Sequence, residues 1–349
     1  MSRIGIRTDA NEIVATGHVM RCLAVADALW ETGEKPVFIA ADDAPKSLVL
    51  SRGYEFISLG TDWRNLEDEI GQTRDAIKKY RIGAMLVDSY YVTRTYLENL
   101  QSMVPVMYMD DLGKDVYGID ALVCYANFWQ KFEYEKKYKN TKLCLGTGYA
   151  PLKKEFSLCG EKEIKEIPRN LLLLSGGTDP YHALDRILKG VPLERWQRID
   201  VVCGKYNEDY VKLRHEYAAQ KRIVLHQNVT NIANFMQDAD IAVSAGGVTL
   251  YELCAMGTPT VSYAFADNQI DNVVQFAEDG LIEYAGDIRE SGVVVEVRDI
   301  LTGSYIKKEE RMRRSQKMQA TVDGKGSGRI ADVLKSIGGF HSMPSHSWI

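Results

Sequence analysis

The feature that most constrains this chain is an alternation that runs through it twice. Ile4–Arg7, Val37–Ala41, Ala84–Asp88 and Val104–Met109 are short apolar runs with the length of buried strands, and amphipathic stretches of helical period separate the first three. Buried strands separated by helices predict a parallel sheet, because parallel neighbours need a crossover long enough to hold a helix. After a charged stretch around Lys153–Pro168 the pattern restarts. Asn170–Ser175, Ile199–Cys203, Ile223–His226, Ile241–Ser244 and Thr258–Tyr263 are each followed by a helix-compatible segment. The expectation is an α/β protein with two separate parallel sheets. Its 349 residues suffice for two domains of ~100–200 residues, each with its own core.

The restart divides the chain into an N-terminal domain over 1–155 and a C-terminal one over 156–337. From Lys307 to about Ile337 the chain reads as helix, interrupted at Asp323–Gly328, and the Ser-, His- and Gly-rich tail 338–349 is expected to be poorly ordered. The aromatic and charged stretch 128–141 has no clean period and is expected to be a solvated surface segment.

Charge and composition remove several classes of function. Lys+Arg 43 against Asp+Glu 48 gives a net charge of −5 with no long basic run, so the footprint of a nucleic-acid partner is missing. No apolar run reaches the ~18 residues of a membrane span, and residues 1–30 lack the charged-then-apolar pattern of a signal peptide. A cytoplasmic location without stable membrane association is expected. The six cysteines are far apart, which gives neither a zinc pattern nor a disulfide framework and leaves them as reduced, mostly buried thiols. No GxxxxGK[ST], GxSxG or HExxH occurs, and Gly146 and Gly148 supply only two of the three dinucleotide-fold glycines.

In open parallel sheets ligands bind beyond the carboxyl ends of strands, so the polar residues that close each apolar run are the candidates. Arg7 and Asp9 close the first run, and Ile13–Arg21 then brings Gly17 and His18 to the start of a helix, with Arg21 one turn on. A helix N-terminus offers free N–H groups and a positive dipole end, and a histidine there is favoured as a neutral base. Two readings of His18 stand: a base, or a residue donating to a loop carbonyl. Asp88 and Tyr90 close the third run and either hold a sugar hydroxyl or tie down their loop. Asp110 and Asp111 are adjacent and point opposite ways, which favours loop capping over a metal pair; no metal and no cofactor are expected.

In the second half, Leu171–Leu174 runs into Gly176 and Gly177, and Ile241–Val243 runs into Ser244, Gly246, Gly247, Thr249 and Glu252. Paired glycines let a ligand approach the backbone, the following helix offers N–H donors to phosphate, and Glu252 stands one turn inside where it can accept ribose hydroxyls. A plain strand-to-helix turn is the competing reading. Asn268 and Gln269 close a further strand with neutral amides suited to acetamido or hydroxyl groups.

Taken together, these segments resemble the metal-independent nucleotide-sugar hydrolases of pseudaminic acid biosynthesis and their relatives in spore-coat polysaccharide biosynthesis. The matching residues are Arg7-x-Asp9, Gly17-His18-Val19-Met20-Arg21-Cys22-Leu23, Asp88-x-Tyr90, Gly148–Phe156, Gly176-Gly177-x-Asp179-Pro180, Ser244-Ala245-Gly246-Gly247-x-Thr249-x-x-Glu252, Asn268-Gln269 and Asp323-Gly324-x-Gly326. Tyr91, Pro151 and the Lys153-Lys154 pair depart from that pattern. The resemblance implies a glycosyltransferase-B-like fold, two Rossmann-like domains with a cleft between them, and a C-terminal helix returning to the first domain. It also implies hydrolysis of UDP-2,4-diacetamido-2,4,6-trideoxy-β-L-altropyranose by water, with His18 as base, and Arg7, Asp9, Gly17, Arg21, Asp88, Tyr90 and Asn268 around the sugar. By the same likeness Gly177, Ser244, Gly246, Gly247, Thr249 and Glu252 hold UDP. The alternatives are a glycosyltransferase of the same fold, a non-hydrolysing 2-epimerase and a non-catalytic UDP-sugar-binding protein.

Overall fold

The computed structural model describes residues 2–11, 16–204 and 207–340. The chain forms two compact units: the first runs to Lys154 and takes in the segment from Gly324, and the second is Glu155–Asp323.

The first unit alternates β1 (Arg3–Thr8), α1 (Gly17–Glu31), β2 (Val37–Ala40), α2 (Lys46–Ser51), β3 (Glu55–Ser58), α3 (Ile70–Tyr80) and β4 (Ile82–Asp88). It continues with α4 (Arg94–Gln101), β5 (Val106–Met109), β6 (Ala121–Cys124), α5 (Tyr134–Lys137) and β7 (Lys142–Leu145). All seven strands make one parallel sheet in the order β3-β2-β1-β4-β5-β6-β7. β2, β5 and β6 are buried along their whole length, as befits a sheet covered on both faces.

The second unit repeats the scheme with β8 (Asn170–Leu174), α6 (Ala183–Gly190), β9 (Arg198–Cys203), α7 (Tyr210–Glu216), β10 (Ile223–Gln227), α8 (Ile232–Asp238) and β11 (Ile241–Ala245). α9 (Thr249–Met256), β12 (Thr260–Ala264), α10 (Asp267–Glu278), β13 (Glu283–Asp287), α11 (Val293–Thr302) and α12 (Lys308–Thr321) complete it. Its parallel sheet has the order β10-β9-β8-β11-β12-β13. Each sheet is built outward from its first strand on one side and then on the other, so strand order reverses between β1 and β4 and between β8 and β11. Those two crevices are where such sheets bind ligands.

The last helix, α13 (Gly326–Ile337), packs in the first unit, on α1 and β4, as a helix returning to the first domain does; the second unit itself ends at Asp323, short of the expected boundary at 337. The reason is local: a Cβ on Gly326 would lie 2.1 Å from the Ala150 carbonyl oxygen, so only glycine lets the helix start this close to that segment. The Ser327 hydroxyl donates to Leu152 O at 2.7 Å and Arg329 Nη1 to Gly148 O at 2.8 Å, completing the dock. Gly326→Ala is expected to lower stability by ~1–3 kcal/mol through overpacking against rigid backbone. Gly328, which faces open space, is the control. Equal urea midpoints for Gly326→Ala and Gly328→Ala would refute this.

The stretch 128–141 is exposed over most of its length, as a surface segment is, but two tyrosines anchor it. Tyr134 and Tyr138, four apart and on one face of α5 and its end, are buried in the first unit's core with Tyr108 and Tyr117, while Lys136 and Lys137 point outward. Tyr117 N donates to the Tyr138 hydroxyl at 3.1 Å. Of the tail, Gly338–Phe340 close the helix in a turn, Phe340 N donating to Lys335 O at 2.9 Å; the expectation for 341–349 lies outside the described residues. All six cysteines are free, and only Cys159 is not fully buried.

Candidate functional site

In the first unit the reversal point gathers most of the residues expected there. β1 and β4 pair in register with Thr8 opposite Asp88, so the loop after β1 and the end of β4 meet. Thr16 precedes α1 without a side-chain cap, and the helix's own first turn holds no acidic residue. Gly17 lies exposed at that end with open space around its Cα, and His18 follows it, buried. The segment Ile13–Ala15 lies outside the described residues.

Asp88 is the centre of a dense charged cluster. Its Oδ1 lies 2.5 Å from His18 Nδ1 and 2.5 Å from Arg21 Nη2, and its Oδ2 accepts from Arg21 Nε at 2.7 Å. Burial alone would raise the Asp88 carboxyl, but Arg21 and His18 outweigh it and hold it well below the usual carboxylate range. Asp88 therefore stays ionised wherever the protein is assayed. A carboxylate can only accept, so the Asp88 contact is a hydrogen bond when Nδ1 carries a proton, and in a neutral ring that tautomer leaves Nε2 as the acceptor.

Arg21 is itself fixed. Nη1 donates to Asp111 Oδ2 at 2.6 Å and to the Tyr125 hydroxyl at 2.9 Å, and the guanidinium stands 5.5 Å from the Tyr125 ring centroid. Despite burial, Asp111 and Asp88 push its pKa up, so it is permanently charged. Asp110, by contrast, caps its loop by accepting from Leu112 N and Gly113 N at 2.9 and 3.0 Å. Tyr90 sets its ring edge-to-face on His18, centroids 4.4 Å apart, and burial, followed by Asp111, pushes its phenol up to about 12, which keeps it a neutral donor. Asp9, His18 and Asp88 line a small pocket with Tyr90, Tyr91 and Trp63.

Arg7, expected around the sugar, does not line this pocket. It is completely buried, Nε and Nη2 forming a two-pronged pair with Glu69 at 2.6 and 2.8 Å while Nη1 reaches Asp9 Oδ2 at 2.6 Å. Tyr96 donates to Glu69 Oε1 at 2.7 Å and Ala41 N to Asp9 Oδ1 at 2.9 Å. Arg7 thus acts beneath the pocket, aiming Asp9 into it.

In the second unit a cavity of about 350 Å³ lies at the other reversal point, lined by Gly176 and Gly177 after β8, Gly204 after β9, Asn228 after β10, and Thr249 and Glu252 on α9. Gly204 is required: a Cβ there would meet Gly176 O at 2.2 Å and Gly177 O at 2.3 Å. Three of the expected UDP residues, Gly177, Thr249 and Glu252, face this cavity. Ser244 and Gly246 do not. Ser244 is fully buried with its hydroxyl on Ala245 O at 3.1 Å, and a Cβ on Gly246 would lie 2.2 Å from Val273 Cγ1, so both shape the turn from behind. Gly247 is half-buried in the same turn, and Leu250 N donates to its carbonyl at 3.1 Å. Asn268 is exposed in the first turn of α10, outside the cavity lining; its neighbour Gln269 caps the turn by accepting from Phe265 N at 3.1 Å.

Glu69, Asp111, Tyr125, Trp63, Gly204 and Asn228 were not among the expected site residues. Tyr125 directly follows β6, so the strand-end rule would have found it had that strand been recognised. Among the described residues no three His, Cys, Asp or Glu side chains are grouped as a metal centre requires, and no helix is long and apolar enough to cross a membrane.

Residues 161–318 match the family model for glycosyl transferases group 1. An uncharacterised protein of Methanocaldococcus jannaschii is 22% identical over 274 residues, 74% of this chain and 55% of that protein, so the match spans about half of that relative's length. The spore coat polysaccharide biosynthesis protein SpsG of Bacillus subtilis is 24% identical over 272 residues, 75% of this chain and 78% of that one. A UDP-N-acetylglucosamine--N-acetylmuramyl-(pentapeptide) pyrophosphoryl-undecaprenol N-acetylglucosamine transferase of Helicobacter acinonychis is 35% identical over 128 residues, 34% of this chain and 35% of that one. The solved structure of MurG from Acinetobacter baumannii superposes with a TM-score of 0.67 at 14% identity, covering 96% of this chain and all of that one. The fold is glycosyltransferase-B, with two Rossmann-like domains each built on a parallel sheet.

Proposed function

We propose that the chain is a UDP-sugar hydrolase that needs no metal and cleaves UDP from a UDP-2,4-diacetamido-2,4,6-trideoxyhexose, the β-L-altropyranose form being the first candidate. The observation that carries this reading is the His18–Asp88–Arg21 cluster, which fixes a histidine through its Nδ1 at the edge of a pocket at a sheet reversal point. His18 takes a proton from water as the water oxygen bonds to the anomeric carbon. The bond to the β-phosphate oxygen breaks with its electron pair going to UDP. UDP is already a good leaving group, so the protein has to orient water and hold the diphosphate. The N-terminal turn of α9, beside Thr249, suits the diphosphate, and Glu252 the ribose. The relative in spore coat polysaccharide biosynthesis supports a place in surface-glycan or nonulosonic acid synthesis, and a cytoplasmic site of action fits a nucleotide-sugar substrate.

A second reading, a glycosyltransferase using a UDP-amino sugar, is favoured by the match to glycosyl transferases group 1 and by the local likeness to an N-acetylglucosamine transferase. Product analysis separates the two: proton NMR of a reaction without added acceptor is expected to show free reducing sugar, and intact substrate would favour the transferase.

Glu252→Ala is expected to weaken UDP binding by ~10-fold or more, the loss of a charge-assisted hydrogen bond being worth ~1.5–3 kcal/mol. Unchanged UDP affinity in calorimetry would remove Glu252 from the ribose.

A further inference from the structure

The pocket beside His18 is very small. The space open to the centre of a water molecule is about 10 Å³, room for about one water and for no sugar. A buried water needs two to four polar partners, and the contacts of the lining residues decide which ones are available. Asp88 is already occupied: His18, both prongs of Arg21 and the Cys22 thiol share its two oxygens. Asp9 takes one contact on each oxygen, Arg7 Nη1 on Oδ2 and Ala41 N on Oδ1, so each oxygen keeps a lone pair for another donor. Burial outweighs Arg7 and tightens the hold of Asp9 on a proton, which makes its carboxylate a strong acceptor. The Ser89 hydroxyl accepts from Tyr91 N at 3.2 Å and keeps its own proton to donate.

The rest of the lining is aromatic and fixes the size of the space. Trp63 and Tyr91 meet edge-to-face with centroids 4.9 Å apart, and Tyr90 sets its ring against His18. Trp63 is braced from outside by Arg64, whose guanidinium stands 5.6 Å from the ring centroid and is clamped by Asp62.

We propose that this pocket is the seat of a single water, held by Asp9 and His18 together, and that Trp63 and Tyr91 keep the seat too small for an alcohol. This rests on the hydrolase reading and supplies its reason for water as acceptor. A water has a proton for each of the two acceptors, whereas a carbohydrate or lipid hydroxyl has one proton and a carbon where the pocket has no room. In the step, the water oxygen bonds to the anomeric carbon as one O–H bond gives its proton to His18 Nε2, and the bond to UDP breaks with its electron pair leaving on UDP. The other proton, held by Asp9 beforehand, stays on the new sugar hydroxyl. Asp9 thus touches the nucleophile and not the sugar.

The test runs UDP-2,4-diacetamido-2,4,6-trideoxy-β-L-altropyranose in water containing methanol, an acceptor one carbon larger than water. UDP release and product identity are read together on the full chain and on Trp63→Ala and Asp9→Asn, each checked for native circular dichroism. Free sugar alone is expected from the unsubstituted chain, and methyl glycoside beside it from Trp63→Ala. Asp9→Asn, which takes the charge from one hydrogen bond to the water, is expected to lower turnover about 10-fold or more with UDP affinity unchanged; if it does not fold, Trp63→Ala carries the test. Methyl glycoside from the unsubstituted chain, none from Trp63→Ala, or full turnover by Asp9→Asn overturns the seat and leaves UDP-sugar cleavage standing. If the unsubstituted chain releases no UDP, the hydrolase reading falls and a crystal structure decides the seat. One water within hydrogen-bonding distance of both the Asp9 carboxylate and His18 Nε2 keeps it, and a pocket without that water overturns it.

Discussion

Replacing His18 with alanine is expected to lower UDP release by ~10²–10⁴-fold, the usual contribution of a positioned general base. UDP affinity should change little, because the cavity assigned to UDP is built entirely from second-unit residues. Asp88 and Arg21 remain paired through two contacts in the variant, so the cluster keeps its charge balance. The loss should appear in kcat, because the interaction removed operates in the transition state. Stopped assays with His18→Ala and His18→Gln read this directly. Turnover within a factor of a few of the unsubstituted chain would take His18 out of the mechanism and leave its contact with Asp88 as a structural tie.

The second large effect is on stability. Glu69→Ala is expected to cost ~3–5 kcal/mol, because it strands the fully buried Arg7 guanidinium with Asp9 as its one remaining carboxylate partner among the described residues. Burial by itself would lower the Arg7 pKa, but Glu69 and Asp9 more than offset it, so Arg7 cannot escape by losing its proton. The exposed neighbour Glu67, whose contact is with the Thr93 hydroxyl at 2.7 Å, is the control, with a change within ~0.5 kcal/mol on substitution to alanine. Urea denaturation compares the two. Similar midpoints for Glu69→Ala and Glu67→Ala would show that the Arg7 cluster is not what holds Asp9 in place.

Residues that end a buried strand were legible, and residues that support them were not. β1, β4, β8 and β11 announce themselves as apolar runs closed by a polar residue, which puts Asp9, Asp88, Gly177 and Glu252 within reach of inspection. β13 reads Glu-Tyr-Ala-Gly-Asp and β7 reads Lys-Leu-Cys-Leu; each is short and only partly buried, so neither has an apolar run to recognise. Glu69 sits in Leu-Glu-Asp-Glu, where three acids look alike and only the tertiary fold decides that the last is buried against Arg7. Gly204 carries no local signal, and Gly326, though part of the matched Asp323-Gly324-x-Gly326 stretch, gives no hint of its packing, because the backbone each must admit comes from a distant segment. The expected roles of Ser244 and Arg7 fail for a related reason: a polar residue at a strand end faces either the crevice or the core, and the pleat decides which.

The central claim is that water, oriented by His18, is the acceptor. UDP-2,4-diacetamido-2,4,6-trideoxy-β-L-altropyranose is incubated with the protein in ¹⁸O-labelled water, with a chelator present and UDP-N-acetylglucosamine as the parallel substrate. The expected result is stoichiometric UDP and free sugar carrying one ¹⁸O at the anomeric position from the first substrate, with the rate unaffected by chelator and lowered ~10²–10⁴-fold in His18→Ala. UDP release that waits for an added carbohydrate or lipid acceptor, or sugar released without label, would contradict it.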